Sequence, residues 1–348
     1  MTKQNESSVQ RYFYLSYSYL FAFVGLVTIA FMFGSFIIGG YLVFDTEIGI
    51  KEMTDPIKTI LLFLWGIPIA ISTNVSLGYV FSVLWCIYIV FFAVALNGPK
   101  KSIIGVIRGI RRNGFDIYSN TAYLVVVVFS VLLSANVLIE LIQRQVGVST
   151  GTPPESSPIR EFTFITLAPL VEEIGFRVTL IGVAAFLILN KKVGVLKSLK
   201  ALWHPSKYLD ELLYSPPSDR KPFMYFVIGA SGLFFGASHI IYGSTWEIGK
   251  LSTATIAGIV LGWLYFKQGL PAALLTHWAF NYLSSSYVYF ACANLGVTKG
   301  CEEAVQNNPL LTYFLITIML TGVLSIGLIG LNKIFRSNAA HHVEAIHP

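Results

Sequence analysis

The sequence predicts an all-α, polytopic transmembrane helical bundle of about 8–9 spans, and three observations support this. Hydrophobic residues make up 55% of the 348-residue chain. Charged residues make up only 12%, about half the usual share of a soluble domain. Apolar runs of membrane-spanning length recur along the chain, separated by short polar or basic stretches. A helical crossing needs about 20 mainly apolar residues to cover roughly 30 Å of hydrocarbon.

Nine such runs can be read, at 17–44, 57–72, 75–96, 121–142, 162–190, 223–241, 251–267, 270–290 and 310–334. The second and seventh are short for a crossing and are expected to be tilted, re-entrant or partly inserted. The first is longer than the apolar core of a secretory signal and lacks a small-residue cleavage site, so it is expected to be a retained span. Gly232/Gly236 and Gly258/Gly262 are four residues apart on single helix faces, a spacing that lets helices approach closely in lipid.

Two connections are basic. Residues 97–120 carry Lys100, Lys101, Arg108, Arg111 and Arg112, and residues 190–222 carry seven more Lys and Arg around a Pro216-Pro217 breaker. With nine crossings and the N-terminus outside, 17 Lys and Arg fall in inside loops and the C-terminal tail. Six (Lys3, Arg11, Arg144, Arg160, Lys250 and Lys299) fall outside. This is the asymmetry expected when cytoplasmic loops hold the positive charge. It accounts for the net charge of +6 without nucleic acid, so the expected partner is the lipid bilayer. The expected location is the plasma membrane if the chain is prokaryotic. Three cysteines exclude a disulfide scaffold. Cys86 is expected to be a packing residue, and Cys292 and Cys301 flank one short loop that a bridge could close in an oxidising compartment. The His341/His342/His347 tail is expected to be an exposed, disordered terminus.

The chemically informative run is 162–190, where Glu172, Glu173 and Arg177 interrupt apolar sequence. An ionised side chain at bilayer depth costs about 2.5 kcal/mol or more, so three together need partners, water or function. Glu173 and Arg177 are one turn apart and can pair. Glu172 lies about 100° around the helix, so the two glutamates are not expected to serve one partner, and Glu172 is left as the unneutralised carboxylate. Two other runs supply His239, beyond Phe235 on a face of small residues, and His277 with Asn281 one turn on. A carboxylate, two imidazoles and an amide can activate water and bind an oxyanion. Glu172, His239 and His277 could also be three protein ligands of a divalent metal such as zinc, leaving a position for water. A proton- or ion-coupled transporter using Glu172 is the competing reading. No convincing internal repeat of the kind common in transporters is seen.

Glu172-Glu173-x-x-x-Arg177, Phe235-x-x-x-His239 and His277-x-x-x-Asn281, in that order and each inside an apolar run, resemble the three motifs of the CPBP family. That family comprises CAAX prenyl endopeptidases and bacteriocin-processing or self-immunity proteins. The resemblance implies an intramembrane endopeptidase acting on a membrane-associated, prenylated or leader-bearing peptide or protein. It implies that Glu172 and His239 activate water, that His277 and Asn281 hold the oxyanion, and that Glu173 and Arg177 support the site. A non-catalytic immunity or scaffold protein of the same fold is a further alternative. No HExxH pattern occurs, which favours a metal-free mechanism over a metallopeptidase. The expected organisation is N-terminal spans of unknown role at 1–120, a catalytic core at 121–290, and an outer loop, last span and tail at 291–348. The run boundaries set Glu172, His239 and His277 at different depths, several ångström to over 10 Å apart at 1.5 Å per residue.

Overall fold

The computed structural model describes residues 3–151, 157–213, 220–243, 245–295 and 308–344. It opens with a long helix, α1 (Lys3–Phe44), and one short turn of helix, α2 (Glu47–Glu52). A two-stranded antiparallel hairpin follows, β1 (Pro56–Leu64) and β2 (Ile67–Ser76), then α3 (Leu77–Asn97), α4 (Ile103–Asn113) and α5 (Thr121–Gln145).

Next comes one continuous helical rod: α6 (Pro158–Glu172), a π-helical segment Glu173–Gly182, and α7 (Val183–Val193). A small polar cap of α8 (Val195–Ser198) and α9 (Pro205–Leu212) leads to α10 (Arg220–Tyr242) and α11 (Ile248–Gln268). A second interrupted rod consists of α12 (Leu270–Trp278), a π-helical turn Ala279–Leu283 and α13 (Ser284–Leu295). The last helix, α14, is Pro309–Glu344. It includes His341 and His342, whose side chains lie outside the described residues, as do His347 and Cys301.

Among the described residues six helices are long and apolar enough to cross a membrane: Val9–Phe44, Leu77–Asn97, Thr121–Gln145, Pro222–Tyr242, Ile248–Gln268 and Leu311–Ile334. The run at 251–267, short in the sequence reading, is a full 21-residue helix. The run at 57–72 is not a span but the hairpin. Its β-branched residues (Ile57, Thr59, Ile60, Ile69, Ile71, Thr73 and Val75) favour extended backbone. Trp65 and Gly66, both at positive φ (51° and 78°), close a tight two-residue turn.

The hydroxyl of Tyr14, near the start of α1, bonds the side chain of Asn332, late in α14, and the Asn332 amide donates to Phe115 O at 3.1 Å. The start of the first long helix and the end of the last therefore lie side by side at one end of the bundle. At the opposite face the Ile159 amide donates to Glu52 and Gly249 N to Ser149 O. Cys292 is disulfide-bonded, and Cys86 is free and exposed rather than packed inside.

Two contacts align the helices that carry the site. A Cβ on Gly258 would lie 2.8 Å from Gly232 Cα, so α10 and α11 meet backbone to backbone through the predicted small-residue faces. A Cβ on Gly175 would lie 2.1 Å from Phe63 Cβ, so β1 lies directly on the π-helical segment.

Candidate active site

Glu172 is the last residue of α6 and Glu173 the first of the π-helical segment. Pro169, one turn earlier, has no amide hydrogen to offer the helix ladder. An i→i+5 stretch then re-aims the residues beyond it, as often happens where helices carry function. The widened segment is held from outside by the hairpin. Gly66 N donates to Gly175 O at 3.1 Å, and Trp65 N donates to Thr179 Oγ1 at 3.0 Å. The second rod repeats the device, since the π turn begins just after His277 and contains Asn281.

Four of the predicted residues meet: Glu172, Glu173, Arg177 and His277. Both Glu173 and Arg177 are completely buried, with Arg177 Nε 3.3 Å from Glu173 Oε2. The pair is close in charge but not aligned as a hydrogen bond, since neither atom meets hydrogen-bond geometry with any partner among the described residues. Arg177 also stands 4.3 Å from the centroid of the Phe235 ring and 3.5 Å from Gly258 O. His277 Nδ1 is 2.8 Å from Glu173 Oε1. A carboxylate only accepts, so Nδ1 carries the hydrogen and donates. That turns Nε2 towards Glu172 Oε2, 3.5 Å away.

The expectation that the two glutamates serve separate partners is therefore wrong. A turn of about 100° between neighbours sets their carboxylates at opposite ends of one imidazole, whose two nitrogens face different directions. Glu173 keeps its expected pairing with Arg177 and also orients the histidine.

His239 stands apart. Its Nδ1–H donates to Phe235 O at 2.8 Å, and no carboxylate oxygen lies within 4.0 Å of it among the described residues. Glu172 and His277 still act on it electrostatically. The Phe235 ring joins the two halves of the site, 4.7 Å from the His239 ring and 5.7 Å from that of His277. Asn281 is half-buried and makes no side-chain hydrogen bond among the described residues.

Sequence reasoning missed two features here. One is the hairpin tip, Trp65-Gly66. The other is Lys250, whose ammonium lies 4.1 Å from the Trp246 ring and which feels the charges of Glu140 and Glu172. A Trp and a Lys in the short connection just past His239 were the available signal.

Glu172, His239 and His277 are the side chains that would hold a divalent metal at this site. No group of three His, Cys, Asp or Glu side chains converges on one point among the described residues. His277 Nδ1 donates to Glu173, which leaves Nε2, facing Glu172, as the nitrogen that would meet a metal or a proton. What the arrangement offers is a partly exposed carboxylate beside an oriented imidazole, in surroundings where charge interactions are strong.

No curated protein and no solved structure matches the chain. Residues 155–283 match a family described as Rce1-like, type II CAAX prenyl endopeptidase. That stretch begins just before α6 and ends with the π turn after His277, so it contains every motif residue. Residues 155–283 are thus similar to the CPBP, or CAAX-protease, family of membrane peptidases.

Proposed function

We propose that the protein is an intramembrane endopeptidase in which Glu172 is the general base. The observation that carries this reading is the Glu173–His277–Glu172 alignment, with contacts of 2.8 Å and 3.5 Å on the two nitrogens of one ring. Glu172 takes a proton from a water that it and His239 hold, and the water oxygen attacks the scissile carbonyl carbon. His277 and the Asn281 amide stabilise the oxyanion, and Glu172 returns the proton to the departing amine. Positioned proton transfer contributes typically 10²–10⁴-fold, and an oxyanion donor about 10²–10³-fold. Glu173 and Arg177 support the site by fixing the histidine.

Eight crossings are the reading that the shared face of Tyr14 and Asn332 supports, counting the interrupted rods at 158–193 and 270–295 with the six uninterrupted spans. On that path Lys3 and Arg11 join the basic loops while Lys51 and Lys58 leave them. The strong asymmetry survives, and both ends of the chain are assigned to the cytoplasm. The catalytic core at 121–290 then draws on the hairpin for support. The substrate is a peptide or protein at the membrane, prenylated or leader-bearing, and a prokaryotic chain would work in the plasma membrane.

The test is cleavage of a panel of prenylated and leader-type peptides by the purified protein. Glu172→Ala and His239→Ala are expected to lower the rate by on the order of 10²–10⁴. Undiminished cleavage by either variant would sink the proposal.

A further inference from the structure

We infer that the bowl formed by α4 and the start of α1 is a binding site for the phosphodiester headgroup of an anionic membrane lipid. It is remote from the Glu172 site and independent of the reading given to that site. Its lining is Arg11, Lys101, Arg108, Gly109, Arg111 and Arg112, around a volume of about 890 Å³. Five cationic side chains from two stretches of chain converge there, and among the described residues no acidic side chain lines it.

None of the five has a carboxylate within 4.0 Å among the described residues, where the ion pairs are those of Arg177, Lys207 and His277. Like charges gathered without counter-charge raise each other's energy, and an anion that enters relieves this. Guanidinium groups present paired N–H donors matched to phosphate oxygens.

The local fold holds the basic face in place. Ser102 caps α4 by accepting from Gly105 N at 3.3 Å. Val106 and Ile110 bury the opposite face of the helix in the core. At the C-terminal end Gly114 has φ of 67°, and a Cβ there would overlap the Tyr14 ring, so α4 is locked onto α1. Lys101 folds back over the helix, with Nζ 3.5 Å from the position a Cβ on Gly109 would take.

Position selects a lipid over a free phosphate. The bowl lies at the ends of two spans, beside the start of Val9–Phe44 and just past the end of Leu77–Asn97. Ile104, on the same short helix, is 60% exposed and offers an apolar contact to an acyl chain. Loop charge that served only orientation would need Lys and Arg near the span ends, not their convergence on one cavity. Clusters of 4–8 such residues beside a span are the usual sequence mark of anionic-lipid recognition.

The experiment uses the full-length protein in mild detergent and measures lipid retained by native mass spectrometry, with the thermal shift on lipid addition alongside. Phosphatidylglycerol is the probe, and phosphatidylcholine, inorganic phosphate and glycerol 3-phosphate are the comparisons. The wild-type protein is expected to retain and be stabilised by phosphatidylglycerol over phosphatidylcholine, with binding that weakens as salt rises. Arg108→Gln/Arg111→Gln is expected to weaken that binding by on the order of tenfold to thirtyfold. Arg108→Lys/Arg111→Lys, which keeps the charge but loses the paired donors, should retain only part of it, and Lys191→Gln/Lys192→Gln, outside the bowl, all of it. Equal loss in the Lys191/Lys192 pair would reduce the effect to bulk charge and overturn the site. Inorganic phosphate or glycerol 3-phosphate binding as tightly as the lipid would overturn the lipid assignment.

Discussion

Replacing Arg177 with methionine tests whether the buried charges form one mutually dependent unit. Arg177 has no exposed surface, and its guanidinium faces Glu173 at 3.3 Å. At an effective dielectric of about 20, two unit charges at that separation attract by about 5 kcal/mol. Methionine retains much of the stem's packing but leaves the Glu173 carboxylate inside the bundle with His277 as its one remaining partner among the described residues. Removing one member of a buried pair typically costs about 3–5 kcal/mol, which sets the expected loss for Arg177→Met. Glu173→Gln/Arg177→Met removes both charges, and the glutamine oxygen can still accept from His277 Nδ1. The double variant should therefore recover about 1–3 kcal/mol of that loss as coupling energy. The assay is equilibrium unfolding in mixed micelles of the wild type, the two single variants and the double variant. If Arg177→Met lies within about 0.5 kcal/mol of wild type, as a surface change would, the reasoning fails. A double variant no more stable than Arg177→Met would also refute it.

Three further predictions concern other parts of the molecule. Thr179→Val removes the acceptor for Trp65 N, and a Cβ at position 66 would sit 2.9 Å from the Phe176 ring. Thr179→Val and Gly66→Ala should lower kcat by on the order of tenfold to hundredfold with KM nearly unchanged, while Thr179→Ser restores it. Chelation by EDTA or 1,10-phenanthroline should leave the cleavage rate unchanged, and loss of activity restored by added zinc would contradict the metal-free mechanism. His204, in the polar cap, accepts no proton easily, because burial holds its pKa below the usual 6.5 while its ring N–H donates to Lys267 O. The unfolded chain therefore binds a proton that the fold resists as pH falls below 6.5. Stability should be full above that pH and decline beneath it, and thermal unfolding of His204→Asn against pH should lack this decline.

The site was legible in the sequence to the extent that its residues were costly where they stood. Glu172, Glu173, Arg177, His239, His277 and Asn281 stood out because apolar spans tolerate few such groups. Helical spacing correctly paired Glu173 with Arg177, but it could not show that the imidazole of His277 would be approached from both sides. The π-helical segments were not legible, because no residue type encodes an i→i+5 ladder, although Pro169 marked where one began. Residues 57–72 were misread because hydropathy weighs apolar content alone. Their β-branched pattern and Trp65-Gly66 turn, which make the hairpin, lie outside that scale.

The most direct test of the account is single-turnover cleavage in ¹⁸O-labelled water, with the new carboxylate of the upstream fragment analysed by mass spectrometry. Water activated by Glu172 should place one ¹⁸O in that carboxylate on the first turnover, and Glu172→Gln should give no product on the same timescale. Unlabelled first-turnover product, or cleavage that persists in Glu172→Gln, would contradict the account.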